Sequence, residues 1–222
     1  MVDPSPVLQV RLAVFAVASP YSWDLVESAH RLSLDVICID NIGGADKRLP
    51  LAEGRIEPEP FVIGLASADG RAEAAYAANR AGYSEPRTLV DPSAVIASTA
   101  TLRHGMYVNA GAVVGSFADL GCHGNVNRSA SIGHNTELGF AVSVGPGAVL
   151  SGSVRVGARA FIGSGVTILP EISIGRRAVV GAGAVVTRNV APGEVVVGNP
   201  ATVLRRQDLD QPEDSCPHCS SR

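Results

Sequence analysis

The sequence predicts two joined architectures, a small α/β domain built on a parallel sheet and, after it, an all-β parallel helix of very short strands. Three observations carry this reading. From Val90 to Val186 every sixth residue is aliphatic, without a break in register. Four residues after most of these aliphatics sits a second small or aliphatic side chain, as at Ala94, Ala112, Ala130, Val142, Ala148, Val154, Ala160, Val166, Ala178 and Ala184. Upstream of residue 90, apolar runs of strand length alternate with stretches whose apolar positions follow helical spacing.

A period of six is a repeat signature of a parallel β-helix, whereas an α-helix needs a period near 3.6. Two inward positions per repeat describe one short strand, and the intervening residues turn a corner. Three hexapeptides close one triangular coil of eighteen residues. The run therefore supplies about five to six coils in a prism about 25 Å tall, at the usual interstrand spacing. Glycine follows many of the aliphatics, for example at Gly115, Gly133, Gly145 and Gly163.

The N-terminal elements follow in order. Residues 10–17 form an apolar strand; residues 21–34 place Leu25, Val26, Ala29 and Leu32 at helical spacing, with Ser22 as the expected N-cap and Asp24 in the first turn. Residues 35–40 form a second strand ending in Asp40, which completes a βαβ unit. Residues 41–60 read as loop, 61–66 as a third strand and 69–81 as an Ala-rich helix closed by Gly82. The expected domains are 1–87, 88–204 and a disordered tail, 205–222.

Composition sets bounds on function. The 222 residues carry a net charge of −3, a pI near 5.9 and a mean hydropathy of +0.21, which argue against a polyanion-binding surface and so against nucleic acid as a partner. Only 5% of residues are aromatic, which suits a core of stacked Val, Ile, Leu and Ala. No apolar run reaches the length of a membrane span and no leader sequence is evident, so a cytoplasmic protein is expected. Four scattered cysteines fit a reducing compartment.

Several segments carry a resemblance to a known family. The passage Val180-Gly-Ala-Gly-Ala-Val-Val-Thr-Arg188, followed by Val197-Gly-Asn-Pro-Ala201, resembles the terminal coil and exit of hexapeptide-repeat acyltransferases. Asp91-Pro-Ser-Ala94, Asn127, Ile132-Gly-His134 and Val144-Gly-Pro-Gly-Ala-Val-Leu-Ser-Gly152 are similar to the bacterial sialic acid O-acetyltransferases and nucleotide-amino-sugar N-acetyltransferases. The resemblance implies a left-handed β-helix, an exception to the usual crossover hand. It also implies a Rossmann-like acceptor domain and a homotrimer whose grooves lie between subunits. The activity implied is acetyl-CoA-dependent transfer to an amino or hydroxyl group of a sugar, with no metal.

The implied site is assigned residue by residue. His134 is the general base and Asn135 its neighbour, where the family tends to place an acid; Glu137 and Asp119 are alternative sources of that acid. Residues eighteen apart share a corner, so His134, Gly152, Pro170 and Arg188 form one edge. The Gly152 N–H is the expected oxyanion donor. Gly152, Pro170, Gly181 and Arg188 are expected to meet coenzyme A, and Asp40 and Asn127 the acceptor. In a second departure, the turn after the first strand, residues 16–23, contains no glycine, which puts close backbone approach to a pyrophosphate in question.

Other readings remain open. His104, His123 and His134 lack the closely spaced pair of the zinc-dependent carbonic anhydrase prisms, and His104 and His123 read as surface residues. Cys122 is a formal acyl-enzyme nucleophile, read here as a small buried thiol. Cys216 and Cys219 resemble half a zinc site, but only one such pair is present, so disorder is expected. A rival class of function keeps the prism and drops the chemistry, as a catalytically inactive trimeric scaffold or regulatory subunit.

Overall fold

The computed structural model describes residues 11–52, 57–209 and 214–219. The first domain holds β1 (Arg11–Phe15), α1 (Ser22–Arg31), β2 (Asp35–Ile39), β3 (Phe61–Ile63) and α2 (Ala68–Arg80). The strands are parallel in the order β2-β1-β3, which puts β1 in the middle. Leu12, Ala13, Val14 and Phe15 are accordingly buried in succession, as a strand covered on both faces requires.

Ser22 does not cap α1. Tyr21 holds the N-cap position without a side-chain cap, and Ser22 instead donates to the Gly64 carbonyl at 2.9 Å, tying the helix start to the end of β3. Ser67 caps α2 by accepting from Gly70 N. In the glycine-free turn after β1, Ala16 takes φ +64, so the left-handed geometry of such a turn is kept with a methyl in place of hydrogen.

From Leu89 onward the chain winds through two-residue strands on three parallel ladders. One contains Leu89–Val90, Tyr107–Val108, Asn125–Val126, Ser143–Val144, Phe161–Ile162 and Val179–Val180; a second runs from Val95–Ile96 to Val185–Val186; a third from Thr101–Leu102 to Ser173–Ile174. Register steps by eighteen throughout, as in Ser131↔Val149 and Ile132↔Leu150. The second residue of each strand points inward, and Val108, Val126, Val144, Ile162 and Val180 are fully buried one above another. A two-residue strand has no stability alone. Burying each such aliphatic contributes about 1.5–3 kcal/mol, and the stack gathers enough of these to offset the ordering of the backbone.

The prism is closed by strand Glu194–Val197, which pairs antiparallel with Thr202–Arg206. Here the structure departs from the expected free tail. Arg205 and Arg206 lie in the last strand, and residues 214–219 pack against the body: Ser215 O accepts from Tyr76 OH at 2.5 Å, and Asp214 pairs with Arg176 and Arg177.

The two domains are docked through polar groups, of which Arg71, Asp91 and Arg159 are buried. Arg71 of α2 is buried and donates to the carbonyls of His123, Leu65, Ala66, Ala141 and Val142 and to Ser143 Oγ. Burial pushes its guanidinium down to about 10, and the carbonyl cage supplies the acceptors that a buried cation needs. Asp91, at the head of the prism, accepts from Ser28 Oγ of α1 at 2.7 Å and pairs with Arg31. Arg159 reaches Asp69 and Glu73 of α2.

Candidate active site

Each coil has three corners, and the site residues divide among them. His134 follows strand Ser131–Ile132 at the corner leading to Glu137–Leu138. The ladder pairs Ile132 with Leu150, Leu150 with Ile168 and Ile168 with Val186, so His134, Gly152, Pro170 and Arg188 stack on one edge. Asn127 and Gly181 do not join them. They occupy the neighbouring corner, after Asn125–Val126 and Val179–Val180.

The His134 ring is oriented by its sequence neighbour. Its Nδ1 lies 3.0 Å from Asn135 Oδ1, and an amide oxygen can only accept, so in this pairing the ring donates from Nδ1, and Nε2 has no hydrogen-bond partner among the described residues. Asn135 adopts φ +57, a left-handed conformation that asparagine tolerates well. The ring lies across Gly152: a β-carbon there would stand 2.5 Å from Nε2. Glycine at 152 is therefore required by the close approach of the imidazole. The Gly152 carbonyl accepts from Glu171 N, while its own N–H has no hydrogen-bond partner among the described residues.

The alternative acids lie elsewhere. Glu137 is paired with Arg155, and Asp119 with Arg103, on the outer face of the third ladder. Asp119, Glu137 and Arg155 are ladder neighbours there, so their charges answer one another.

Asp40 spends its carboxylate on its own loop, accepting from Gly43 N at 2.7 Å and Ala45 N at 3.2 Å. Asn127 is buried and accepts from Arg128 N and from Asn109 Nδ2, whose amide also reaches Asp24. With Arg128 paired to Asp24 and Tyr21 OH donating to Asn125 Oδ1 at 2.5 Å, the result is a polar seam between the start of α1 and the prism. Burial pushes the Tyr21 hydroxyl well up, so it remains a neutral donor. Gly181 is explained by packing, since a β-carbon there would meet Val197 Cγ1 at 2.7 Å. Cys122 suits no acyl-enzyme route, because the adjacent Cys216 and burial push its thiol up, away from the reactive thiolate.

Sequence inspection had no signal for Arg71, whose role depends on carbonyls far away in the chain. His104 and His123 are not surface residues: His123 is fully buried and His104 half-buried.

Comparison with known proteins places this geometry. Residues 153–188 match the bacterial transferase hexapeptide model of six repeats. No curated protein sequence matches the chain. Among solved structures, the acetyltransferase domain of PglB from Neisseria gonorrhoeae, in complex with acetyl coenzyme A, superposes with a TM-score of 0.81 at 28% identity, covering 88% of this chain and 100% of that one. PerB from Caulobacter crescentus, in complex with CoA and GDP-perosamine, gives 0.75 at 23% identity over 88% and 97%. WeeI from Acinetobacter baumannii gives 0.75 at 23% identity over 87% and 99%. By repeat and by architecture the chain is an α/β domain joined to a parallel β-helix of hexapeptide repeats, similar along most of its length to the acetyltransferase domain of PglB.

Proposed function

We propose that the protein is an acetyl-CoA-dependent N-acetyltransferase acting on the amino group of a nucleotide-linked sugar. The observation that carries this reading is His134 held with Nε2 free and lying over Gly152. His134 takes the proton from the acceptor amine as the nitrogen attacks the thioester carbonyl, and the Gly152 N–H donates to the oxygen on which charge develops. Asn135 keeps the imidazole in the right tautomer.

The edge above His134 suits the thioester substrate. Gly152 and Pro170 leave a low wall beside the exposed Leu169, and Arg188 is exposed two coils beyond Gly152, about 14 Å from His134 at the coil spacing. An apolar strip ending in a cation matches an acyl-pantetheine arm ending in phosphate. The α/β domain, residues 1–87, serves the acceptor. The polar seam of Tyr21, Asp24 and Asn127 lies on the prism side of that domain, and Asp40 orders the loop after β2.

The active form is a homotrimer. The outer face of the second ladder bears Val95, Val113 and Val149, each more than 40% exposed and stacked at one strand position. This face, with Ser131 between Val113 and Val149, borders the His134 corner and is what a second copy of the chain would cover.

The test is an acceptor screen with thiol release as the readout. Release with nucleotide-linked amino sugars and not with the free sugars supports the assignment. Absence of release with every acceptor, together with no thermal protection by millimolar coenzyme A, favours the scaffold reading.

A further inference from the structure

A third corner of the prism, remote in the repeat from His134, gathers soft ligands that acyl transfer does not use. His104 and Cys122 are eighteen residues apart and so stack on consecutive coils, on the corner after the third ladder. Residues 214–219 bring Cys216 and Cys219 onto them. Ligand atoms of His104, Cys122, Cys216 and Cys219 all lie within 4.8 Å of one another. His104 Nε2 is 3.2 Å from Cys216 Sγ and 3.6 Å from Cys219 Sγ, and Cys122 Sγ is 3.2 Å from Cys219 Sγ.

The nitrogen–sulfur separations are those of coordination-tetrahedron edges, and the Cys122–Cys219 sulfurs, at 3.2 Å, stand closer than such an edge and would move apart around an ion. Zinc bonds of about 2.3 Å to sulfur and about 2.0 Å to nitrogen imply S···S edges of about 3.8 Å and S···N edges of about 3.5 Å. The Cys-Pro-His-Cys segment closes a tight turn, with Cys219 N donating to Cys216 O at 3.1 Å. Both sulfurs are thereby presented to one side, in the two-residue spacing of structural zinc sites.

A second grouping, His123, Cys216 and His218, shares one of these sulfurs. Of its two imidazoles His218 is already committed, while His123 Nδ1 has no hydrogen-bond partner among the described residues. His218 Nε2 lies 3.0 Å from the Tyr83 carbonyl and must donate to it, so Nδ1 is the acceptor and takes the proton of His123 Nε2 at 3.1 Å. That relay leaves His218 no lone pair for a metal. His104 Nε2, by contrast, faces only sulfur.

We propose that His104, Cys122, Cys216 and Cys219 bind a structural Zn²⁺ that clamps the C-terminal segment to the prism. Binding converts the three thiols to thiolates with release of their protons, and His104 coordinates as the neutral imidazole through Nε2. Four protein ligands leave no open position, so the ion is structural rather than catalytic. The clamp also presses on the domain junction. His218 packs tilted against Phe61 of β3 at 5.4 Å between centroids, and Ser215 O holds Tyr76 of α2.

The test is metal analysis of the tag-free, full-length chain, purified under reducing conditions from zinc-supplemented medium. About one zinc per chain is expected, with intense visible bands after cobalt exchange, as for a tetrahedral thiolate site. The double variant Cys216→Ser/Cys219→Ser should lose the metal while its circular dichroism stays unchanged, because the solenoid core does not include this segment. His104→Gln should lower zinc occupancy, and His218→Gln should leave it intact. Zinc below about a tenth of an equivalent with no cobalt bands would overturn the proposal. So would retention of zinc in the double variant, loss of zinc in His218→Gln but not in His104→Gln, or a metal-free chain carrying a Cys122–Cys219 disulfide.

Discussion

The His134 imidazole rests against Gly152 so closely that a methyl group at position 152 would occupy its place, 2.5 Å from Nε2. The proposed base and the proposed oxyanion donor are therefore one coil apart and mutually constrained. Gly152→Ala should push the ring off the edge and lower acyl-transfer turnover by about a hundredfold or more. The substitution adds its methyl on an outside corner, so the melting temperature should change little. Steady-state kinetics beside a thermal scan separate the two effects, and unchanged turnover would detach the base from the glycine.

His134→Ala removes the proposed base and should lower turnover by roughly a hundredfold to ten-thousandfold. Because His134 is exposed, folding and coenzyme protection should survive. Asn135→Asp tests the orienting partner: a carboxylate keeps the contact to Nδ1 and stabilises the imidazolium that forms during proton transfer, so turnover should rise. Asn135→Ala should fall below the parent, having lost the acceptor.

Two lysines placed on the apolar ladder face test assembly. Val113→Lys with Val149→Lys sets like charges one above another around Ser131 on the face assigned to the subunit contact. Light scattering should report a smaller species than the parent. An unchanged trimer would place the contact on another face.

Arg71→Leu should be the most destabilising of these changes. It leaves the carbonyls of His123 and Ala141 buried without a donor, while Val142 O keeps Asn125 N. A cost of about 1–3 kcal/mol for each orphaned carbonyl is expected, read from denaturant unfolding.

Acid should loosen the domain junction at Asp91. Burial opposes ionisation there, but hydrogen bonds from Ser93 and Ser28, with the Arg31 charge, outweigh it and hold the carboxyl below its ordinary range. A depressed folded-state value means that the stabilisation is complete above about pH 4 and fades as pH falls through the lower folded value. Asp91→Asn should remove that part of the acid dependence and lower stability near neutrality by roughly 1–3 kcal/mol. Unfolding curves between pH 3 and 7 measure both effects, on the order of the carboxylate range.

The six-residue period determined the prism unaided. Periodicity is a local property, and Val108, Val126, Val144, Ile162 and Val180 fall into one buried file because each coil returns the chain to the same place. The stacking of His134 under Gly152 follows from the same arithmetic, as does that of His104 under Cys122. The second pair was legible in its spacing, yet its meaning required Cys216 and Cys219, which reach it across 94 and 97 residues from Cys122. Tertiary structure alone decided where the tail lands, that Asp40 turns back on its own loop, and that Arg71 sits in a cage of carbonyls. Backbone oxygens carry no sequence label, and one carbonyl reads like any other until the fold brings several to a point. A repeat announces itself because every coil solves the same packing problem; a docking contact is made once and leaves no pattern to count.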